Sequence, residues 1–377
     1  MHSGLLQGIR VIEIGQILSA PYAASVFASL GAEVIKIEKP GVGDDARIMG
    51  AAFREGDSLH FLDVNRGKAS VVLDLKTPAG MDTLQALLET TDVLIHNLRP
   101  GVVESLGLDG ATLGARYPRL IYCEITGYGK HGPKRALPAF EPVAQAESGL
   151  MSVNGHPDGP PARVGASVVD VGTAMWLVIG ALAALQRRNA TGKGGVINAS
   201  LLETALAWVG PQVAAYINES HTPKRLGTAH AQLVPYQTFD ASDGALLIAA
   251  GNDRLFEKLA RALGAPQWAE DARFRDNRAR LANRDEIVRL IGERIASAPR
   301  ASWVATLSAA GVPCAPVNTS PEILEDPQVA AIGILQAAEG VTLAGLPLRV
   351  DGERPPLPGL GPRLGEHNAI YAAPRSR

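Results

Sequence analysis

The run ARVGASVVDVGTAMWLVIGALAALQRR, residues 162–188, contains a single acidic residue, Asp170, set between Val169 and Val171 just ahead of a strongly apolar stretch. A carboxylate there loses water if the stretch is buried. It admits two readings. In the first, Asp170 caps a helix beginning near Gly172 or Thr173, because Asp is a preferred cap and its charge suits the amino-terminal end of the dipole. In the second it is a nucleophile. A free aspartate, with a pKa of about 3.9, is already ionised at neutral pH; what it lacks in water is nucleophilicity, which a dry, positioned site with donors for a developing oxyanion can supply.

Other chemistries lack their motifs. The first strand-to-helix turn reads GQILSAP rather than G-x-G-x-x-G, so a dinucleotide pyrophosphate has no glycine cradle. No G-x-x-x-x-G-K-S/T is present, and ATGKGG has the wrong spacing for one. The eight histidines fall singly, without H-x-x-H or H-E-x-x-H, so no metal site is expected. Ser200 in NASLLE has no G-x-S-x-G elbow before it, which argues against a serine hydrolase.

The elements that must position this acid follow from the hydrophobic pattern. GIRVIEIG reads as a strand, SAPYAASVFASLGAE as a helix with Ser19 as cap and Gly31 as stop, and EVIKIEKPG as a second strand. The rhythm continues through ASVVLDL, PAGMDTLQALLETT, DVLIHNLRPG and RLIYCEITGYG. Strands alternating with helices predict an α/β fold, a doubly wound, Rossmann-like sheet covered on both faces. Ligands on such sheets bind beyond the carboxyl ends of the strands, which brings Gln16, Lys39, Asn97 and Arg99 near one another. Helices are expected from Thr173 to Gln186 and from Leu201 to Asn218, joined by the turn NATGKGG. GALLIAAG and the amphipathic NDRLFEKLARALG and NRDEIVRLIGERIAS then predict a smaller α+β domain. GERPPLPGLGPRLGEH is expected to run extended over the surface.

Several of these stretches, in this order, resemble the class III CoA-transferases, the group that includes formyl-CoA transferase, carnitine CoA-transferase and 2-methylacyl-CoA racemase. The similar segments cover most of the chain and include LLQGIRVIEIGQILSAPYAASVFASLGAEVIKIEKPGVGDDAR, NRGKASVVLDLKTPAG, YCEITGYGKHGP, PARVGASVVDVGTAM and GVPCAPV. The resemblance implies that Asp170 is the nucleophile, passing through an acyl anhydride and an aspartyl-CoA thioester, with Glu141 beside it. It implies CoA contacts at Gln16, Lys39, Leu73, Lys76, Asn97, Leu98, Arg99 and Phe140, and a substrate loop carrying His230 and Tyr236. Ser105 stands where a relative has a CoA-binding arginine. The loop GTAHAQLVPYQ is closest in pattern to the glutarate-using branch, which points to a dicarboxylic acid. Exchange of one thioester for another needs no tightly bound cofactor; the CoA thioester is a substrate.

The resemblance also implies an interlocked homodimer, a large domain of residues 1–205 and 330–377, a small one of 225–318, and linkers at 206–224 and 319–329. Two alternatives use the same scaffold. A racemase needs a proton acceptor where Phe140 stands, and phenylalanine accepts none. A CoA-ester binding protein without chemistry would have no use for Asp170 and Glu141.

Composition bounds the partners. A formal charge of -2 gives no reason to expect nucleic acid or an anionic membrane. The longest apolar run, Ala174 to Leu185, falls short of the roughly 20 residues that span a bilayer. Cys123 and Cys314 lie far apart and read as reduced core residues of a cytoplasmic protein.

Overall fold

Strand β1 (Arg10–Ile14) sends Val11 to one side of a sheet and Ile12 and Ile14 to the other, as the two-residue period requires, and each side enters its own buried cluster. Helix α1 (Ser19–Ser29) and strand β2 (Glu33–Glu38) follow. They lead to β3 (Ala69–Val72), α2 (Pro78–Leu88), β4 (Val93–His96) and β5 (Ile121–Thr126). Further on come α3 (Glu141–Glu147), α4 (Val168–Thr191), β6 (Gly195–Ser200) and α5 (Leu201–Trp208). The six strands form one parallel sheet in the order β3-β2-β1-β4-β5-β6. Phe27 of α1 and Leu177 and Ala181 of α4 pack on one face, Leu84 and Leu88 of α2 on the other, so the sheet is doubly wound. The strand order reverses between β1 and β4, and such a reversal opens a crevice at the carboxyl ends of those two strands.

The computed structural model describes residues 4–372. It divides into one unit of residues through Met151, Arg163–His221 and from Gln328 onward, and a second of Ser152–Ala162 and Thr222–Pro327. The first unit includes the helix Gly210–Glu219, in a segment expected as linker. In the second, β7 (Tyr236–Ala241), β8 (Gly244–Ala249) and β9 (Cys314–Pro316) form an antiparallel sheet in the order β9-β8-β7. Phe256, Ile287, Ile291 and Leu307 form part of its core. Arg280, fully buried, donates to the carbonyls of Val234, Phe274 and Gly251 and to Asp253, which satisfies a charge that would otherwise be costly there.

Three sequence expectations are corrected. Helix α4 starts at Val168, not near Gly172, so Asp170 sits inside its first turn and is not its cap. Strand β6 falls where a turn was expected to lead straight into the next helix; its half-exposed alternation of Val196, Ile197, Asn198 and Ala199 is a weak strand signal. The expected helix from Leu201 to Asn218 breaks at Val209 into two. Among the described residues α4 is the one helix long and apolar enough by composition to cross a membrane, yet half of that span is buried inside the protein. Its apolar length packs against α1 and the sheet. Cys123 lies in the core and Cys314 is half-buried; both are free.

Candidate active site

A cavity of about 340 Å³ opens at the carboxyl ends of β1 and β4. Its lining includes Gln16, Asn97, Arg99, Phe140, Glu141 and Asp170. Leu98 lines it as well, so seven of the residues singled out in the sequence meet there. The others do not. Lys39 is exposed and pairs with Asp45 at 2.6 Å, and only Asp45 reaches the lining. Lys76 is exposed, and the side chain of Leu73 is committed to the core. His230 and Tyr236 belong to the second unit, where their ring centres lie 5.4 Å apart at a tilt of 55° and the His230 Nδ1 accepts from the Gln232 amide.

The two acids face one another from two helix starts. Glu141 is the first residue of α3 and Asp170 the third of α4. Ser167, the residue before α4, makes no capping bond with its side chain. Glu141 takes that part instead: its Oε1 accepts from the Val169 amide at 3.4 Å and from Gln145 Nε2 at 2.5 Å. The other oxygen, Oε2, is buried without a partner. Burial, and then the charge of Glu141, push the Asp170 carboxyl up to about 7, against a bond from Ser19 that favours the ionised form. Asp170 is therefore half-buried, close to a second acid, and near its titration midpoint at neutral pH. A carboxylate in that state is only weakly solvated and is poised to attack.

The wall opposite is a strained turn. Gly15 ends β1 because a Cβ there would meet Ala20 Cβ at 2.7 Å and the Glu13 carboxylate as well. Ile17 has φ 71°, in the left-handed region, and the Leu18 amide donates to the Gln16 carbonyl at 3.0 Å, closing a three-residue turn. That conformation costs a β-branched residue roughly 1–3 kcal/mol and persists only when its surroundings fix it. They do so at every polar backbone atom. Asn97 Oδ1 accepts from the Gln16 amide and Asn97 Nδ2 donates to the Gln16 carbonyl, both at 2.9 Å. Asp44 Oδ1 accepts from the Ile17 amide at 2.9 Å, and His60 Nε2 donates to the Ile17 carbonyl at 3.0 Å. Asn97, expected as a CoA ligand, clamps this turn and also lines the cavity.

Beneath the turn lies a buried charge cluster that the sequence reading did not pick out. Glu13 and Lys36 share the α1 side of the sheet because each lies two residues from a core valine, Val11 and Val34. Lys36 Nζ, fully buried, donates to both Glu13 oxygens and to the Gly15 carbonyl at 3.0 Å and pairs with Asp44 at 2.8 Å. Burial works against its charge, but Glu13, Asp44 and Glu38 together hold its pKa above the ordinary lysine value. Lys68 adds a second cation on Glu13 at 3.1 Å, and burial pulls it down to about 8. The visible signal was a charged residue inside each of two strands that pattern as buried on both faces.

Ser19 is corrected too. It is the first residue of α1 rather than its cap, its side chain makes no capping bond, and it lines the cavity with Asp170.

A parallel sheet in this order, with two helix-start carboxylates lining a cavity at its switch point, defines an α/β protein with a candidate active site where such folds bind ligands. Residues 6–368 match the model of CoA-transferase family III. The chain is 36% identical over 330 residues to the succinyl-CoA:glutarate CoA-transferase of Mus musculus, covering 88% of this chain and 76% of that one. It is 37% identical to the succinate–glutarate CoA-transferase of Agrobacterium fabrum, covering 98% and 95%. A CAIB/BAIF family protein from Brucella suis superposes with a TM-score of 0.89 at 37% identity, covering 97% of this chain and 98% of that one. The chain belongs to CoA-transferase family III, and it is a CoA-transferase.

Proposed function

We propose that this enzyme passes CoA from an acyl-CoA to a free dicarboxylic acid, with Asp170 as covalent relay. The observation that carries the reading is the half-buried Asp170 carboxylate set against Glu141 in a cavity at the switch point of the sheet. An Asp170 oxygen attacks the thioester carbonyl carbon, the C–S bond breaks, and the thiolate leaves an acyl-aspartyl anhydride. The thiolate then attacks the aspartyl carbonyl and releases the first acid as carboxylate. The acceptor carboxylate attacks this aspartyl-CoA thioester and expels thiolate again. Thiolate attack on the acceptor's carbonyl frees the new thioester and returns Asp170 as carboxylate. No electron is gained or lost, and every charge is handed from one carboxylate or thiolate to the next.

The relatives named for succinate and glutarate support succinyl-CoA as the donor to test first and glutarate as the first acceptor. Arg99 is the cation among the described cavity-lining residues and suits a CoA phosphate; Gln16, Leu98 and Phe140 would flank the pantetheine arm. Lys39 and Lys76 would reach the nucleotide end from outside, with Leu73 at the adenine edge. His230 and Tyr236 would act on the acid. We place the enzyme in the cytoplasm as an interlocked homodimer. Exposed Met175, Trp176 and Ile179 on α4, with Trp208, Tyr216 and Ile217 after it, support a partner surface.

The test is a transfer assay with succinyl-CoA against a panel of dicarboxylic acids across pH. Because the ionised form attacks and its pKa is raised to about 7, kcat/KM falls about tenfold per unit below that pH and levels off above it. Glu141→Gln removes the neighbouring charge, lowers the Asp170 pKa and moves this limb to lower pH. Failure to transfer to any dicarboxylate, or a flat profile from pH 5 to 8, would count against the reading.

A further inference from the structure

We propose that Ser19 is a catalytic residue of the transfer, donating its hydroxyl to the Asp170 oxygen that becomes the aspartyl carbonyl oxygen and bears the charge when CoA thiolate attacks. The inference rests on Asp170 being the relay.

Ser19 is nearly fully buried, at 5% exposure, and sits at the head of α1 facing the cavity. Its hydroxyl serves no helix function. Leu18 and not Ser19 occupies the cap position, whereas Ser25 of the same helix makes the ordinary bond back to the Tyr22 carbonyl. The Ser19 oxygen accepts from Asn97 Nδ2 at 3.3 Å, which leaves its one proton for an acceptor in the cavity that Ser19 and Asp170 both line. The same Asn97 clamps Gln16, so the donor is fixed by the groups that fix the strained turn.

The chemistry follows from which oxygen is engaged. A bond donated by Ser19 to one Asp170 oxygen would leave the other to attack the thioester. Once that second oxygen is acylated, the first is the carbonyl oxygen of the aspartyl group. Thiolate attack at the carbonyl carbon moves the C=O electron pair onto this oxygen, beside a donor already in place. Collapse re-forms the carbonyl and expels the acyl carboxylate. Ser19 keeps its proton throughout, as an oxyanion donor should. The charged groups around Asp170 are Glu141 from α3 and, elsewhere in the cavity lining, Asp45 and Arg99; none of them is a hydroxyl donor that could substitute.

The experiment compares wild type, Asp170→Ala, Ser19→Ala and Ser19→Cys, using succinyl-CoA and glutarate, with intact-mass detection of the CoA adduct and kcat/KM against pH. Alanine is tolerated in a first helical turn, and cysteine keeps the side-chain size while offering only a weak donor. We expect both Ser19 variants to bind succinyl-CoA like wild type, to lose about 10²–10³ in kcat, and to form the adduct correspondingly slowly. Their acid limb should move to higher pH, since a bond favouring the ionised carboxylate is gone. Ser19→Ala turnover at the wild-type level with an unmoved limb, while wild type still forms the adduct on Asp170, overturns the role of Ser19 alone. Absence of any adduct in wild type together with turnover by Asp170→Ala overturns the relay itself and Ser19 with it.

Discussion

Asp170→Ala is expected to lower CoA transfer by about 10⁴-fold or more while leaving the protein folded, because the variant loses the atom that carries the acyl group and then the thiol. The alternative role for this acid, support of a helix start, makes a different forecast: loss of a first-turn carboxylate costs at most about 1–2 kcal/mol of stability and no turnover. The structure sharpens the contrast. Asp170 lies in the first turn of α4 but is not its cap, and the Val169 amide is already met by Glu141. Its pKa is raised, so the folded protein takes up a proton that the unfolded chain would not hold. Ionising Asp170 thus weakens the fold as pH rises from the ordinary carboxylate value through about 7. Asp170→Asn should accordingly raise the melting temperature at pH 8, where activity is lost. A stabilising substitution that abolishes turnover is the pattern of a site built for chemistry.

Lys36→Met has the largest expected effect on stability, about 3–5 kcal/mol, read as a lower urea midpoint. The side chain is fully buried with Glu13, Asp44 and the Gly15 carbonyl around it, and its loss leaves two carboxylates in a dry interior with Lys68 alone to balance them. Burying a charge without its partner is what costs the energy; the pair itself is not strongly stabilising. Glu13→Gln combined with Lys36→Met should therefore recover much of the loss, and equal losses in the single and double variants would contradict this view of the cluster. Function should suffer with stability, since Lys36 and Asp44 hold the two ends of the turn from Gly15 to Ile17 that forms one wall of the cavity.

The parallel sheet was legible because its strands alternate with helices in the ordinary rhythm. β6 was missed because only half of its side chains are apolar and the strand lies at the sheet edge, where burial does not enforce a pattern. Of the site, Asp170 stood out as an acid in an apolar run, and the switch-point rule brought Gln16, Asn97 and Arg99 together correctly. Lys39 was misplaced because position at a strand end says nothing of where a flexible side chain finds its counter-ion, here Asp45. Ser19 was read as a cap because serine near a helix start usually is one. Asp170, which lines the same cavity, lies 151 positions along the chain, a separation at which sequence patterning carries no information. Lys36 beneath the turn was taken with its strand, although the same two-residue alternation that buried Val34 placed it beside Glu13.

The covalent relay is tested most directly by incubating the protein with succinyl-CoA, quenching, and measuring intact mass and then peptide masses. The account predicts an added mass of one CoA less water, confined to the peptide bearing Asp170 and discharged by glutarate. An unmodified Asp170 peptide under conditions of full turnover, or an adduct on any other residue, would contradict it.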